Sequence, residues 1–290
     1  MTIVTNTTHI WIVSDGKLGH INQSLGLVEA LQRKIPGLTW QEVPIMKAWQ
    51  AASYAWKQRQ TKASPKFIVS AGHHTHFTLL ILAKIMRVPA IVLMKPSLPL
   101  SWFDLCIIPE HDAPLARHNI IESIGPLNRM QPAKKDIESK LILVGGPSKH
   151  FSWNDEHVFA QVENVLQQDN GHWIIATSRR TPIKMVALLQ ELANVTVVLA
   201  SETDANWLPS RLAKTENCWV TQDSISMIYE ALTAGCSVKL LAVPCHHENR
   251  LILGLEKLQA AGYLGASSGS VLKLAEANRC VAIVWQRFLS

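Results

Sequence analysis

Asp223, Ser226, Met227 and Glu230 stand at i, i+3, i+4 and i+7 in the stretch Thr221–Gly235, so a helix there would set two carboxylates and a hydroxyl on one face. Ile225, Ile228, Leu232 and Gly235 keep the i, i+3, i+7, i+10 rhythm of a buried stripe on another face. The first turn of such a helix, from Ser224 onward, holds free N–H groups and the positive end of the helix dipole, which suits a phosphate. Glu230, two turns on, is then placed to hold the hydroxyls of a ribose attached to that phosphate. The plainer alternative is that Asp223 only caps the helix and Glu230 is solvated.

Other candidates lie where apolar runs end in polar turns. Ser14–Ser24 carries Asp15, Gly16, Gly19, His20, Asn22 and Gln23. Its glycines permit a tight turn, Ser24 or Asn22 can start a helix, and a neutral His20 could take a proton from a substrate hydroxyl. The alternative is a histidine bonded to backbone at a turn. The spacing is neither GxGxxG nor a Walker A loop. His73, His74 and His76 invite a zinc reading, but no nearby cysteine or carboxylate motif completes a tetrahedral set, so a cleft wall or helix start is preferred and no metal is expected. Lys95-Pro96-Ser97 and Glu110-His111-Asp112 read as cleft lining or ordinary turn chemistry.

Further along, Gly145-Gly146-Pro147-Ser148 follows an apolar run and allows backbone to approach a ligand closely. Ser178-Arg179-Arg180-Thr181, before Pro182, reads as a diphosphate clamp or as a solvated basic turn. Pro244–Arg250 closes the series.

The elements that must position these residues alternate. Strands are predicted at 9–14, 67–71, 90–94, 105–108, 141–145, 173–177, 195–200, 218–221 and 238–243, and helices at 22–34, 47–60, 75–86, 155–168, 182–193, 225–234 and 249–261. Such alternation predicts an α/β protein with parallel sheets covered on both faces, and ligands beyond the carboxyl ends of the strands. Polar residues and Pro132 interrupt the rhythm over 127–140. The expected division is therefore a domain over 1–130, a linker over 131–140, a second domain over 141–269, and a helix over 270–290 that packs back onto the first domain.

The chain has 290 residues, 48% hydrophobic and 17% charged, which fits a globular protein and excludes a disordered one. A net charge of +6 and a pI near 9.1 suit an anionic partner such as a nucleotide, a lipid phosphate or a membrane surface. Five scattered cysteines without CxxC spacing read as reduced core residues of a cytoplasmic protein. No membrane-spanning run or signal peptide is apparent, so a soluble or peripheral protein is expected.

Order and spacing together resemble a known family. The second half resembles the donor domain of GT-B glycosyltransferases, especially the lipid-linked N-acetylglucosamine transferase of peptidoglycan synthesis. Its glycine turn is matched by Gly145-Gly146-Pro147-Ser148, its ribose-binding glutamate run by Tyr229–Gly235, its Pro-x-x-His-x-x-Arg stretch by Pro244, His247 and Arg250, and its Gly-Gly-His loop in part by Gly19-His20. A closer resemblance, over nearly the whole chain, is to the mitochondrial-fission family first named in plants. Asp15–Ser24, Pro109–Asp112, Thr177–Thr181 and Asp223–Met227 carry it in the same order.

The resemblance implies a GT-B-like fold, two Rossmann-like domains facing a central cleft, and transfer of sugar from a nucleoside-diphosphate sugar to a hydroxyl of a lipid-linked or cell-envelope glycan. It implies His20 and Asp15 in catalysis. Donor binding would fall to Gly145, Gly146, Ser148, Ser178, Arg179, Arg180, Asp223, Ser224, Ser226, Met227, Glu230 and Arg250. The acceptor cleft would take Gly16, Gly19, Asn22, Gln23, His73, His74, Lys95, Glu110, His111 and Asp112. No cofactor, metal or nucleic acid is expected, and the location is cytoplasmic with optional contact to the inner face of the plasma membrane.

One departure is Leu251 and Ile252, where the peptidoglycan enzyme has a glutamine pair on the donor sugar, so a different sugar is expected. Two alternatives stand beside the transferase. An epimerase of the short-chain dehydrogenase type lacks its glycine loop and its Tyr-x-x-x-Lys pair here; Tyr54 and Lys57 have the wrong spacing. A non-enzymatic recruiter of a membrane-fission dynamin is suggested by the plant relatives. Trp49 and Trp56, with Lys57, Arg59, Lys62 and Lys66 nearby, would then touch an anionic bilayer, or else be core.

Overall fold

The computed structural model describes residues 8–60, 64–169, 171–246, 250–265 and 271–290. The chain divides into two compact units, Met1–Arg129 with Ala275–Ser290, and Met130–Leu274.

The first unit runs β1 (His9–Ser14), α1 (Leu18–Lys34), β2 (Thr39–Pro44), α2 (Ala48–Arg59), β3 (Phe67–Ala71), α3 (His76–Met86), β4 (Ala90–Leu93), β5 (Leu105–Pro109) and β6 (Ile120–Ser123). All six strands are parallel, in the order β2-β1-β3-β4-β5-β6. β3, β4 and β5 are buried throughout, as parallel strands covered on both faces must be.

Leu27, Val28 and Leu31 of α1 form a core on one face of the sheet. Ala51 and Ala55 of α2 with Leu79 and Leu82 of α3 form a core on the other.

The second unit runs β7 (Asp136–Val144), α4 (Asp155–Gln168), β8 (Trp173–Thr177), α5 (Ile183–Gln190), β9 (Val195–Val198), α6 (Trp207–Lys214), β10 (Thr215–Thr221), α7 (Ile225–Thr233), β11 (Ser237–Leu241) and α8 (Arg250–Ala260). Its parallel sheet has the order β11-β10-β7-β8-β9. The last helix, α9 (Glu276–Phe288), returns to the first unit. There Cys280, Val281 and Val284 join the core beside α1. Its Glu276 accepts the Ile124 N–H at 2.9 Å, which closes the end of β6.

Five elements differ from expectation for local reasons. β2 is an edge strand with only Val43 buried, so its alternation is faint, and β6 is an edge strand of only four residues, too short to set a pattern. α6 buries only Leu212 and carries Pro209 in its first turn, where a missing N–H is harmless. β7 starts at Asp136, inside the stretch read as a linker, because its exposed first half pairs with β10 at Thr215 and Asn217. α1 begins at Leu18, so Asn22 and Ser24 lie inside it, and the Lys17 carbonyl takes the His20 and Ile21 N–H groups instead. The helix expected from 270 begins at Glu276, and residues 266–270 lie outside the described residues, as do Lys62 and His247. Among the described residues no helix is long and apolar enough to cross a membrane.

Candidate functional site

Each sheet has one place where the strand order reverses, between β1 and β3 in the first unit and between β7 and β10 in the second. The crevice beyond the strand ends at such a point is the usual ligand seat of an open α/β sheet. The sequence candidates cluster at both.

In the first unit, β1 ends at Ser14 and Asp15 follows, its side chain only 3% exposed. His20, in the first turn of α1, places Nδ1 3.0 Å from each Asp15 carboxylate oxygen. Burial of Asp15 works against its charge. The hydrogen bonds from His20 and the Lys17 N–H outweigh that and hold the carboxyl below its usual range. A proton on Nδ1, donated to Asp15, leaves the Nε2 lone pair free to accept another, which is the arrangement of a general base.

Gly72, at the end of β3 with φ +88°, closes the other side. A Cβ there would lie 2.3 Å from the His20 ring. Gly16 takes φ +76° in the turn and donates its N–H to Ser14 Oγ at 3.0 Å. Gly19 is exposed, Asn22 and Gln23 are half-buried, and Gln23 donates to Met94 Sδ.

The histidine cluster separates. His73 and His74 are exposed with ring centroids 3.9 Å apart, whereas His76 is 2% exposed beside Phe103. Burial, with a smaller push from His73, lowers the His76 pKa to about 4. Among the described residues no group of three His, Cys, Asp or Glu side chains could hold a metal. Lys95 Nζ donates to the Asp112 carbonyl at 3.1 Å, joining the loops after β4 and β5. Glu110 and His111 are half-buried there and Asp112 is buried.

In the second unit, the turn after β7 is stitched to the loops after β8 and β10. Gly145 donates its N–H to Thr221 Oγ1 at 2.7 Å, and Gly146 to Asp223 Oδ2 at 3.0 Å. Arg180 donates through Nη2 to the same Asp223 oxygen at 2.8 Å, and through Nη1 to the carbonyls of Gly146 at 2.6 Å and Pro147 at 3.0 Å. Ser178 Oγ and Thr181 Oγ1 donate to the Gly145 carbonyl at 2.9 and 2.6 Å. The space beside the glycines is filled by the protein itself. A Cβ on Gly145 would meet Asp223 Oδ2 at 2.3 Å, and one on Gly146 the Arg180 carbonyl oxygen at 2.1 Å.

Asp223 is therefore a buried clasp. The cap position of α7 belongs to Ser224, which makes no side-chain cap bond. Among the described residues, no protein acceptor meets the backbone N–H groups of Ile225, Ser226 and Met227. Ser226 is exposed and Met227 half-buried. Glu230 is only 9% exposed, and its carboxylate has no hydrogen-bond or ion-pair partner among the described residues. Burial pushes its pKa up to about 7.

Arg179 is exposed, with no hydrogen bond among the described residues. Ser148 Oγ accepts the His150 N–H at 3.4 Å. Arg250 is exposed at the start of α8, and Leu251 and Ile252 pack against the core. Thr221 and Gly72 were missed as site residues. The available signal was their place at or just after the end of a switch-point strand.

Two parallel-sheet units with polar loops at their switch points define a GT-B type of fold, the architecture of nucleotide-sugar transferases and some epimerases. Similar solved structures cover the chain almost entirely. The UDP-GlcNAc 2-epimerase of Neisseria meningitidis bound to UDP-GlcNAc is 11% identical with a TM-score of 0.52, over 97% of this chain and 92% of that one. The S. aureus MnaA–UDP structure is 13% identical with a TM-score of 0.52, over 97% and 88%. The glycosyltransferase SnogD from Streptomyces nogalater is 14% identical with a TM-score of 0.51, over 96% and 93%.

The chain belongs to the mitochondrial fission ELM1 family, whose model matches residues 18–288. An uncharacterized protein of Rickettsia prowazekii, RP120, is 22% identical over 314 residues, covering 86% of this chain and 88% of that one. The missing glycine loop and Tyr-x-x-x-Lys pair exclude an epimerase of the short-chain dehydrogenase type only, not one of the present fold.

Proposed function

We propose that the protein is a glycosyltransferase that takes a sugar from a nucleoside diphosphate and passes it to a hydroxyl of a lipid-linked or glycan acceptor. The observation that carries this reading is Glu230, a buried carboxylate without a partner among the described residues, about one turn from three backbone N–H groups that also lack one there. Burying a carboxylate unpaired is costly, and a ribose diol would supply the missing donors. The α7 N-terminus and the exposed Arg179 would receive the diphosphate, whose departure leaves an electron pair on phosphate oxygen. His20 Nε2, held by Asp15, would remove the acceptor proton as the acceptor oxygen bonds to the anomeric carbon.

A second reading, epimerisation of a nucleotide sugar, is supported by the epimerases among the similar folds. It would use the same donor half-site. Calorimetric titration with a panel of nucleoside diphosphates tests the site common to both. Binding by at least one, lost in Glu230→Ala and weakened in Arg179→Ala, is expected. No binding by any member would sink both enzymatic readings and favour the recruiter. Incubating the bound nucleotide sugar in deuterated water without acceptor separates the two. Exchange into the sugar ring marks an epimerase, and its absence together with transfer to an added acceptor marks a transferase.

A further inference from the structure

The charge of this chain is unevenly spread. From Val43 to Phe103 there are eight Lys and Arg residues and no Asp or Glu, although the whole chain carries only +6. That segment builds α2 and α3, which lie side by side on one face of the first sheet and share its core. Helices packed on the same sheet face turn their outer faces the same way.

Those outer faces are apolar and aromatic. Ala51 and Ala55 of α2 are buried, while Trp49 and Trp56, one heptad apart on the opposite side, are 69% and 62% exposed. On α3, Leu79, Leu82 and Met86 are buried, while Phe77 is 64% exposed. Phe77 and Ile81 line a groove of about 630 Å³ with Trp102, which is 54% exposed. Lys57 and Arg59 of α2, Lys84 of α3 and Arg87 just after it stand exposed around these side chains. The one carboxylate at the groove, Asp104, accepts the Ala90 N–H at 2.8 Å.

Large exposed apolar patches on soluble units mark interaction surfaces. A partner protein would need matching acidic groups at fixed positions. A bilayer with anionic headgroups supplies negative charge everywhere and a depth into which indole rings insert. The mixture of outward tryptophans, lysines and arginines, with carboxylates excluded over so long a run, matches the second partner. We propose that the α2–α3 face of the first unit is a docking surface for an anionic membrane, seated by Trp49 and Trp56 and held by Lys57, Arg59, Lys84 and Arg87. It is independent of whether the switch-point residues perform catalysis.

The test is co-sedimentation of the full chain with large vesicles of equimolar phosphatidylglycerol and phosphatidylcholine, and with phosphatidylcholine alone. The protein is expected to pellet with the first and remain in solution with the second. Lys57→Gln with Lys84→Gln should lower binding to the anionic vesicles by on the order of ten-fold or more, since each surface cation contributes about five-fold. Trp49→Ser with Trp56→Ser should abolish pelleting while leaving the circular dichroism spectrum and melting temperature intact, because both side chains are solvent-facing. Equal binding to neutral vesicles, no binding by the wild type, or unchanged binding by the tryptophan variant would each overturn the proposal. So would concentration-dependent dimerisation without lipid that the tryptophan changes remove, which would assign the face to a second copy of the chain.

Discussion

Arg180 and Asp223, far apart in sequence, meet as a pair with Nη2 2.8 Å from Oδ2, and the same oxygen accepts the Gly146 N–H. The Asp223 side chain has no exposed surface, while that of Arg180 is 40% exposed. The pair fixes the turn after β7 against the start of α7, the helix end proposed to receive the diphosphate.

That asymmetry sets unequal costs. Asp223→Ala strands the Gly146 N–H and a guanidinium, and should lower stability by about 2–4 kcal/mol. Arg180→Ala should cost more, about 3–5 kcal/mol, because it leaves the fully buried Asp223 carboxylate without its counter-charge. Urea denaturation of both variants and of the double variant measures this. The double variant should fall short of the summed losses, since the two side chains share one bond.

Gly145→Ala would put a methyl 2.3 Å from Asp223 Oδ2, and the obstacle is a carboxylate already fixed by two donors. A loss of about 1–3 kcal/mol is expected from such overpacking. Gly19→Ala, with nothing within 4 Å of the added carbon, is the control that should leave the melting temperature unchanged.

Glu230 should impose a pH dependence on the unliganded protein. Its folded-state pKa of about 7 lies above the ordinary 4.5, so the native state holds a proton that the unfolded chain has released. The stability contributed by the protonated acid is complete below about pH 4.5 and is lost as pH rises through 7, on the order of 3 kcal/mol in all. Glu230→Gln should flatten this slope in denaturation curves taken between pH 5.5 and 8. An unchanged slope would mean that the carboxylate is solvated.

Gly72→Ala would force a methyl to within 2.3 Å of the His20 ring at a φ of +88°. The imidazole should be displaced from Asp15. Turnover should fall by about 10²–10⁴-fold, the usual contribution of a positioned base, with nucleotide binding unaltered. Asp15→Asn should lower turnover through the same bond without changing the backbone. Single-turnover rates alongside nucleotide titration distinguish these effects from unfolding.

The α/β class and most elements were legible in the sequence, because local chemistry fixes them. A parallel strand covered on both faces must be apolar along its length, so β1, β3 and β8 emerged with the bounds the structure has. The helix at α7 was visible for a similar reason: its buried stripe recurs at helical spacing. β2 was invisible because only Val43 of its residues is buried, and β6 because four residues are too few to set a period.

What only the tertiary structure decided is which polar residue meets which. His73, His74 and His76 are one type in one short run, yet the fold leaves two in water and buries the third. Asp223 read as a donor-binding carboxylate or a cap, and the partners it meets in the fold lie 77 residues away at Gly146 and 43 away at Arg180. Glu230 occupies the helix position that spacing assigned to it, but its burial depends on what packs around α7. Periodicity along a chain records whether a side chain faces water or core. Partners at a switch point are chosen by the order in which strands assemble into a sheet, and that order is written in no local stretch of sequence.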